Sequence, residues 1–242
     1  MKTPAKHLLA ALAWTCAAAV SAAPAAGESA GQQGLLRFEV LLDDRMIGEH
    51  ALAFETRPDG SLGVAIEIGL EIKFGPFTVF TYDHRNRTEW QAGRLVSLRS
   101  RTNENGTPHR LRATAGTAGL EVFPDGDAPY VTDASVLPTT YWMAATTRQN
   151  TLLNSQTGEL LEISARPVGR DTVPGPDGAI PATRYRLDGD LEIELWYDDS
   201  GVLVGLAFEA RGSRIIYRLA ERRGHVPVRM TGRAADAQHP TG

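Results

Sequence analysis

Histidine is the side chain best suited to proton transfer near neutral pH. It occurs at positions 7, 50, 84, 109, 225 and 239. No two of these have the spacing of a strand or helix metal pair, and no His-Glu-x-x-His occurs, so no metal site is expected. His84, with Asp83 and Glu89 nearby, is the candidate for acid–base work, and His84 and Glu89 are the catalytic candidates. Adjacent strand residues point to opposite faces, so Asp83 and His84 cannot pair. Carboxylates recur at Asp43-Asp44, Asp188/Asp190, Glu192/Glu194 and Asp198-Asp199. They fall in turns or on outward strand faces, where acids are expected without any sugar to flank. Gly27-Glu-Ser29-Ala-Gly31 has the hydrolase spacing Gly-x-Ser-x-Gly. That motif works on a strand-to-helix turn, whereas here it precedes the first strand.

Four arginines form a sharper pattern. Asn105-Gly106 is a strong two-residue turn signal, because both positions of a type I′ turn need positive φ. Centring the turn there pairs Glu104 with Thr107, sets Ser100 against Leu111 and Leu98 against Ala113 on an apolar face, and leaves Pro108 at a non-hydrogen-bonded position. The same register sets Arg99 opposite Arg112 and Arg101 opposite Arg110 on the other face. Like charges directly across a ladder repel. Such a face needs water, acidic neighbours or an anionic ligand whose phosphate or carboxylate fits the guanidinium fork. The plain alternative is a solvated hairpin kept unsociable at a sheet edge.

The elements that must carry these residues are strands. Val64, Ile66, Ile68, Leu70, Ile72 and Phe74 are apolar at every second position, a long strand with one buried face. Leu36, Phe38, Val40 and Leu42 repeat the period, and Met46 to Glu55 returns beside them. A second hairpin turns at Asp198-Asp199-Ser200-Gly201, with Tyr197 expected opposite Val202 and Leu195 opposite Val204. Phe77, Val79, Phe80 and Tyr82 put apolar groups on both faces of one strand, which suits a ligand-lining strand. Pro138 to Ala145 has a Thr cap and helix formers, so one short helix is expected there. Its Tyr141 and Trp142 would plug the cavity, making Phe80, Tyr82, Tyr141 and Trp142 the ligand-binding candidates.

The ends bound the compartment. Lys2 and Lys6 precede an apolar run from Leu8 to Val20, and small residues follow, so residues 1–22 read as a signal peptide cleaved near Ala22 or Ala23. The run is short for a bilayer span, and no second long apolar run exists, so no transmembrane segment is expected. The only cysteine, Cys16, lies in this run; Ala13 and Thr15 do not make a lipidation signal of it. Cleavage would leave no thiol and hence no disulfide. It would also reduce the 25 Lys and Arg to 23 against 29 Asp and Glu, moving the net charge from −4 to −6. That balance argues against nucleic-acid binding. Residues 23–34 read as a flexible lead, 35–220 as a single β domain and 221–242 as a disordered tail.

From about Leu35 to Leu219 the chain resembles a family of bacterial secreted domains of unknown function, family 6134. The matching stretches are Phe38-Glu-Val with Ile47-Gly48, then Tyr141-Trp142 and Leu153-Asn154 with Thr157-Gly158-Glu159-Leu160. Pro181-Ala182 with Tyr185, Leu187 and Gly189 follows, then Leu195-Trp196-Tyr197-Asp198 with Gly201, and Gly212 with Ile215, Tyr217 and Leu219. The resemblance implies a bacterial periplasmic β domain and no assigned reaction. The strand pattern with a capping helix also looks like the half-barrel carriers of lipids and lipoproteins, a likeness of fold alone.

The expected architecture is all-β: an antiparallel barrel or half-barrel of about 10–12 strands with one short helix. The expected function is that of a periplasmic or secreted binding protein for envelope maintenance, holding an apolar or amphipathic ligand without a cofactor. The partners expected are a lipid or other apolar small molecule and, at the arginines, an anionic envelope component. The alternatives are a hydrolase acting on envelope polymers and a structural partner-binding module without ligand. A carrier of apolar molecules would need a cavity of several hundred Å³.

Overall fold

A computed structural model describes residues 31–227. The proposed signal peptide, the serine motif apart from Gly31, and most of the lead and tail lie outside the described residues. The rest is strand: β1 (Gln32–Leu42), β2 (Arg45–Thr56), β3 (Leu62–Phe74), β4 (Phe77–Gln91), β5 (Arg94–Glu104), β6 (Thr107–Ala115), β7 (Leu120–Pro124), β8 (Tyr130–Thr132), β9 (Leu137–Pro138), β10 (Thr151–Leu153), β11 (Leu160–Gly175), β12 (Gly178–Gly189), β13 (Ile193–Asp198), β14 (Leu203–Ala210) and β15 (Ser213–Gly224). They form one sheet in the order 8-7-6-5-4-3-2-1-15-14-13-12-11-10-9. Among the described residues the only parallel pairing is β9 with β10. The sheet is open, with β8 and β9 at its edges, so the half-barrel expectation holds and full closure does not.

The fifteen strands among the described residues exceed the expected ten to twelve because β8, β9 and β10 are only 3, 2 and 3 residues long. Periodicity cannot register pieces that short. β1 starts inside the expected lead and β15 ends inside the expected tail, because they pair with each other from Gly34↔Gly224 onward.

Alternation decides which face each strand buries. Leu36, Phe38, Val40, Leu52, Phe54, Leu62, Val64 and Ile66 turn inward and are nearly inaccessible. The expected burial of β3 ends early, however: beyond Ile68 its apolar positions are half-buried or exposed. The β3–β4 hairpin runs past its neighbours there, leaving Phe74 79 % and Phe77 69 % exposed at its tip. Where β2 and β3 meet, a Cβ on Gly48 would sit 1.9 Å from the Gly69 carbonyl oxygen. Only glycine permits that approach.

The Asn105-Gly106 hairpin has the expected register, from Glu104↔Thr107 to Leu98↔Ala113. The second hairpin does not. Asp198 N–H donates to the Val202 carbonyl, and the Asp198 carboxylate accepts from the N–H groups of Ser200 and Val202. Tyr197 therefore faces Leu203, Val204 bulges out, and Leu195 faces Leu206. The slip is two residues at Leu195, so the faces are preserved.

The expected helix over Pro138–Ala145 is also corrected. Pro138 ends β9, Tyr141 takes φ +55°, and the helical piece is a single 3-10 turn at Ala144–Arg148. Thr139 does not cap a helix. Its N–H donates to the Leu153 carbonyl and its hydroxyl accepts from the Ser155 N–H. These bonds tie residues 133–159 into a strap across the concave face. Val136, Leu137, Trp142, Met143, Leu152 and Leu153 of the strap are buried in the main core. Trp142 meets Phe54 at 5.4 Å and Trp90 at 5.8 Å between ring centroids, both edge-on, a favoured aromatic geometry.

Candidate functional site

One inward row of the sheet is polar where its neighbours are apolar. Reading across β1 to β5 it runs Phe38, His50, Ile68, His84, Thr102. His50, His84 and Thr102 are each at most 5 % exposed. His84 Nδ1 lies 2.7 Å from the Thr102 hydroxyl, and its ring stacks on Tyr82 at 6.1 Å. His50 packs between Phe38 at 5.8 Å and Tyr217 at 5.6 Å, the latter edge-on. Neither ring nitrogen of His50 has a hydrogen-bond partner among the described residues, nor does the buried amide of Asn86, two residues beyond His84 on β4.

Both imidazoles border a cavity of about 160 Å³ between the sheet and the strap. Tyr82, Tyr217, Tyr141 and Gln156 also line it, with Ile66, Ile68 and Leu206 as its apolar wall. Tyr82 donates its hydroxyl to Gln156, whose amide nitrogen donates to Glu104. Burial holds His50 down to about pKa 3, with the nearby His84 adding to the effect, and burial holds His84 down to about 4. Both are thus neutral at pH 7, and each neutral ring offers one donor and one acceptor. Burial likewise pushes the Tyr217 phenol up to about 12 and raises those of Tyr82 and Tyr141. The site is therefore uncharged around His50.

The sequence candidates divide sharply. Tyr82, Tyr141 and His84 come together at the cavity. Phe80 does not: it pairs with Ile72 toward the exposed hairpin end. Trp142 is fully buried core, so its role as a ligand contact is replaced by a packing one. Glu89 points to the other face of β4 and is held by Arg57 at 2.6 Å. His84 and Glu89 therefore cannot act as a pair. Among the described residues no three His, Cys, Asp or Glu side chains gather as a metal site. His50, missed as a site residue, was detectable: it shares the inward period of Leu52 and Phe54.

A second crevice of about 280 Å³ lies on the outer face, where Val173 and Pro174 of β11 fold over Trp196, Val204 and Ile216. Its arginines are neutralised, Arg214 by Glu194 at 2.6 Å and Arg218 by Glu39 at 2.6 Å. Its guanidinium groups are thus already engaged, and Asp44 stands at its rim.

An open, curled antiparallel sheet holding a strap and a small polar cavity defines a barrel-like all-β fold. In agreement, the protein is similar to the crystal structure of a beta-barrel-like protein of domain of unknown function DUF1849 from Brucella abortus. The TM-score is 0.59 at 10 % identity, over 81 % of this chain and 99 % of that one. At that identity the likeness concerns the fold. The chain belongs to the family described as "Domain of unknown function (DUF6134)", which it matches over residues 38–220. No curated protein matches the sequence. Among the described residues, no helix is long and apolar enough to cross a membrane.

Proposed function

We propose that this is a periplasmic, non-catalytic binding protein that holds the neutral polar group of a small amphipathic ligand in the His50 cavity. The observation that carries the reading is His50 itself, buried, uncharged and with both nitrogens unpartnered beside open space. A buried polar group without a partner costs about 1–3 kcal/mol, and a hydroxyl, amide or carbonyl in the cavity that met a His50 ring nitrogen would recover that cost. A charged group would lose its hydration with no counter-charge to meet it. The volume also limits the guest. At about 30 Å³ of liquid volume per water molecule, 160 Å³ accommodates a head of a few atoms and not an acyl chain. At this site that narrows the expectation of a bulky apolar cargo, because Thr139, Thr140 and Tyr141 of the strap close in on the two histidines.

Native mass spectrometry of the protein purified from its own cells tests this. A small-molecule adduct is expected on the wild-type protein and not on His50→Phe, which should be folded and, at pH 7, about 1–2 kcal/mol more stable. Absence of any adduct on the wild type, or its persistence on His50→Phe, would refute the reading.

A further inference from the structure

Six arginines share the outer face of β4–β6. Arg85 lies opposite Arg101, which lies opposite Arg110; Arg87 lies opposite Arg99, which lies opposite Arg112. All six are exposed, and Glu67 and Asp83 stand on the same face, Glu67 directly opposite Arg85. That face is open to water. The arginines that converge on a concavity are two others, Arg94 and Arg148.

They rim a cleft of about 790 Å³ between the β4–β5 turn, the strap and the β13–β14 turn. It lies at the end of β4 opposite the β3–β4 tip. The volume is in the range of small-molecule sites. At ~30 Å³ per water-sized group it holds roughly 25 non-hydrogen atoms, about the size of a disaccharide. Ala92 and Gly93 both take positive φ, a tight turn that brings Arg94 to the rim. Arg148 ends the 3-10 turn of the strap, and Gln149 follows it. Tyr185 comes from β12, its ring edge-on to Tyr197 at 6.1 Å. Three stretches distant in sequence thus set polar side chains round one space, and among the described residues none of the four has a hydrogen-bond partner for its side chain.

The charges of this cleft are unequally served. Its two carboxylates are engaged. Asp198 accepts from the N–H groups of Ser200 and Val202 and pairs with Arg222 at 2.7 Å, and Asp199 pairs with Arg170 at 2.6 Å. Asp133, near Arg94 without touching it, accepts from the Ser135 N–H and hydroxyl, both at 2.6 Å. Arg94 and Arg148 have no carboxylate within 4 Å among the described residues, although most arginines outside the β4–β6 face are ion-paired. The charge left to a guest is therefore positive, and beside it stand the Gln149 amide and the Tyr185 hydroxyl. The exposed lining is mainly polar, which suits a hydroxyl-rich guest and not an acyl chain.

We infer that this cleft binds a sugar-sized hydrophilic anion, whose carboxylate or phosphate is held by the guanidinium forks of Arg94 and Arg148. The Gln149 amide and the Tyr185 side chain meet its hydroxyl-bearing body. The cleft shares no lining residue with the His50 cavity. His50→Phe therefore leaves this binding intact, and the two readings stand or fall separately.

Saturation-transfer-difference NMR of the full chain tests it, with glucuronate, glucose 6-phosphate and glucose as probes. At least one of the two anions binds, and glucose binds on the order of 10-fold more weakly or not at all. The tighter anion identifies the recognised group as carboxylate or phosphate. Arg94→Gln and Arg148→Gln each weaken that anion on the order of 10-fold, and the double variant binds it no better than glucose. Both side chains are exposed, so the variants melt with the wild type, which separates lost binding from lost fold. Failure of both anions to bind the wild type, glucose binding as tightly as they do, or undiminished binding by the double variant overturns the inference.

Discussion

Acidification from pH 7 to pH 5 should destabilise the fold by about 3–4 kcal/mol through His50 and His84 alone. The ordinary histidine pKa is 6.5, and burial lowers it to about 3 for His50 and about 4 for His84. Between those values and 6.5 the unfolded chain takes up two protons that the folded chain refuses. The folded state is therefore free of this penalty above pH 6.5 and loses stability as the pH falls toward 4, at up to about 1.4 kcal/mol per pH unit for each histidine. Surface carboxylates contribute mainly below pH 5, so the window from 6.5 to 5 isolates the pair. Urea unfolding across that window measures the slope, which His50→Phe should roughly halve. A slope that is flat in the wild type, or unchanged by His50→Phe, would show that the imidazoles are not held neutral in the folded protein. A ligand bound at His50 adds to the effect, because protonating the ring removes its acceptor.

Trp142→Ala is expected to cost about 3–5 kcal/mol, the range for truncating a fully buried large aromatic. Trp142 holds the strap on the concave face, wedged edge-on against Phe54 and Trp90 with no exposure. Its indole nitrogen has no hydrogen-bond partner among the described residues. Trp142→Phe, which removes that N–H and keeps most of the ring contact, should therefore cost less than about 1.5 kcal/mol. Chemical denaturation of the two variants decides between a packing role and a ligand-contact role. If Trp142→Ala stays within about 1 kcal/mol of the wild type, the strap is not part of the core. The two experiments also separate strap from site: His50→Phe should remove ligand without loosening the strap, and Trp142→Ala should loosen both.

The amino-acid sequence by itself determined what depends on near neighbours along the chain. A period of two over Val64–Phe74 makes a strand whatever lies beside it. Asn105-Gly106 sets its own hairpin register, because few dipeptides accept two positive φ angles, and that register carried the four arginines to their observed positions. The inward direction of His84, Tyr82 and Leu98 follows from the same alternation.

Tertiary structure decided what depends on the summed registers of several strands and on where a non-periodic segment docks. Arg85 and Arg87 join the arginine rows only because β4 pairs with β5 through Arg85↔Arg101 and Arg87↔Arg99, and a bulge between Glu89 and Trp90 makes that register unreadable from either strand alone. Thr139-Thr140-Tyr141-Trp142 has the local signature of a helix start, yet its hydrogen bonds go to Leu153 and Ser155, distant in sequence, so packing overrode propensity. His50 and His84 meet because two strands separated by β3 curl around one strap. Local alternation shows that each points inward, and only the curvature and the strap determine that both face the same small space.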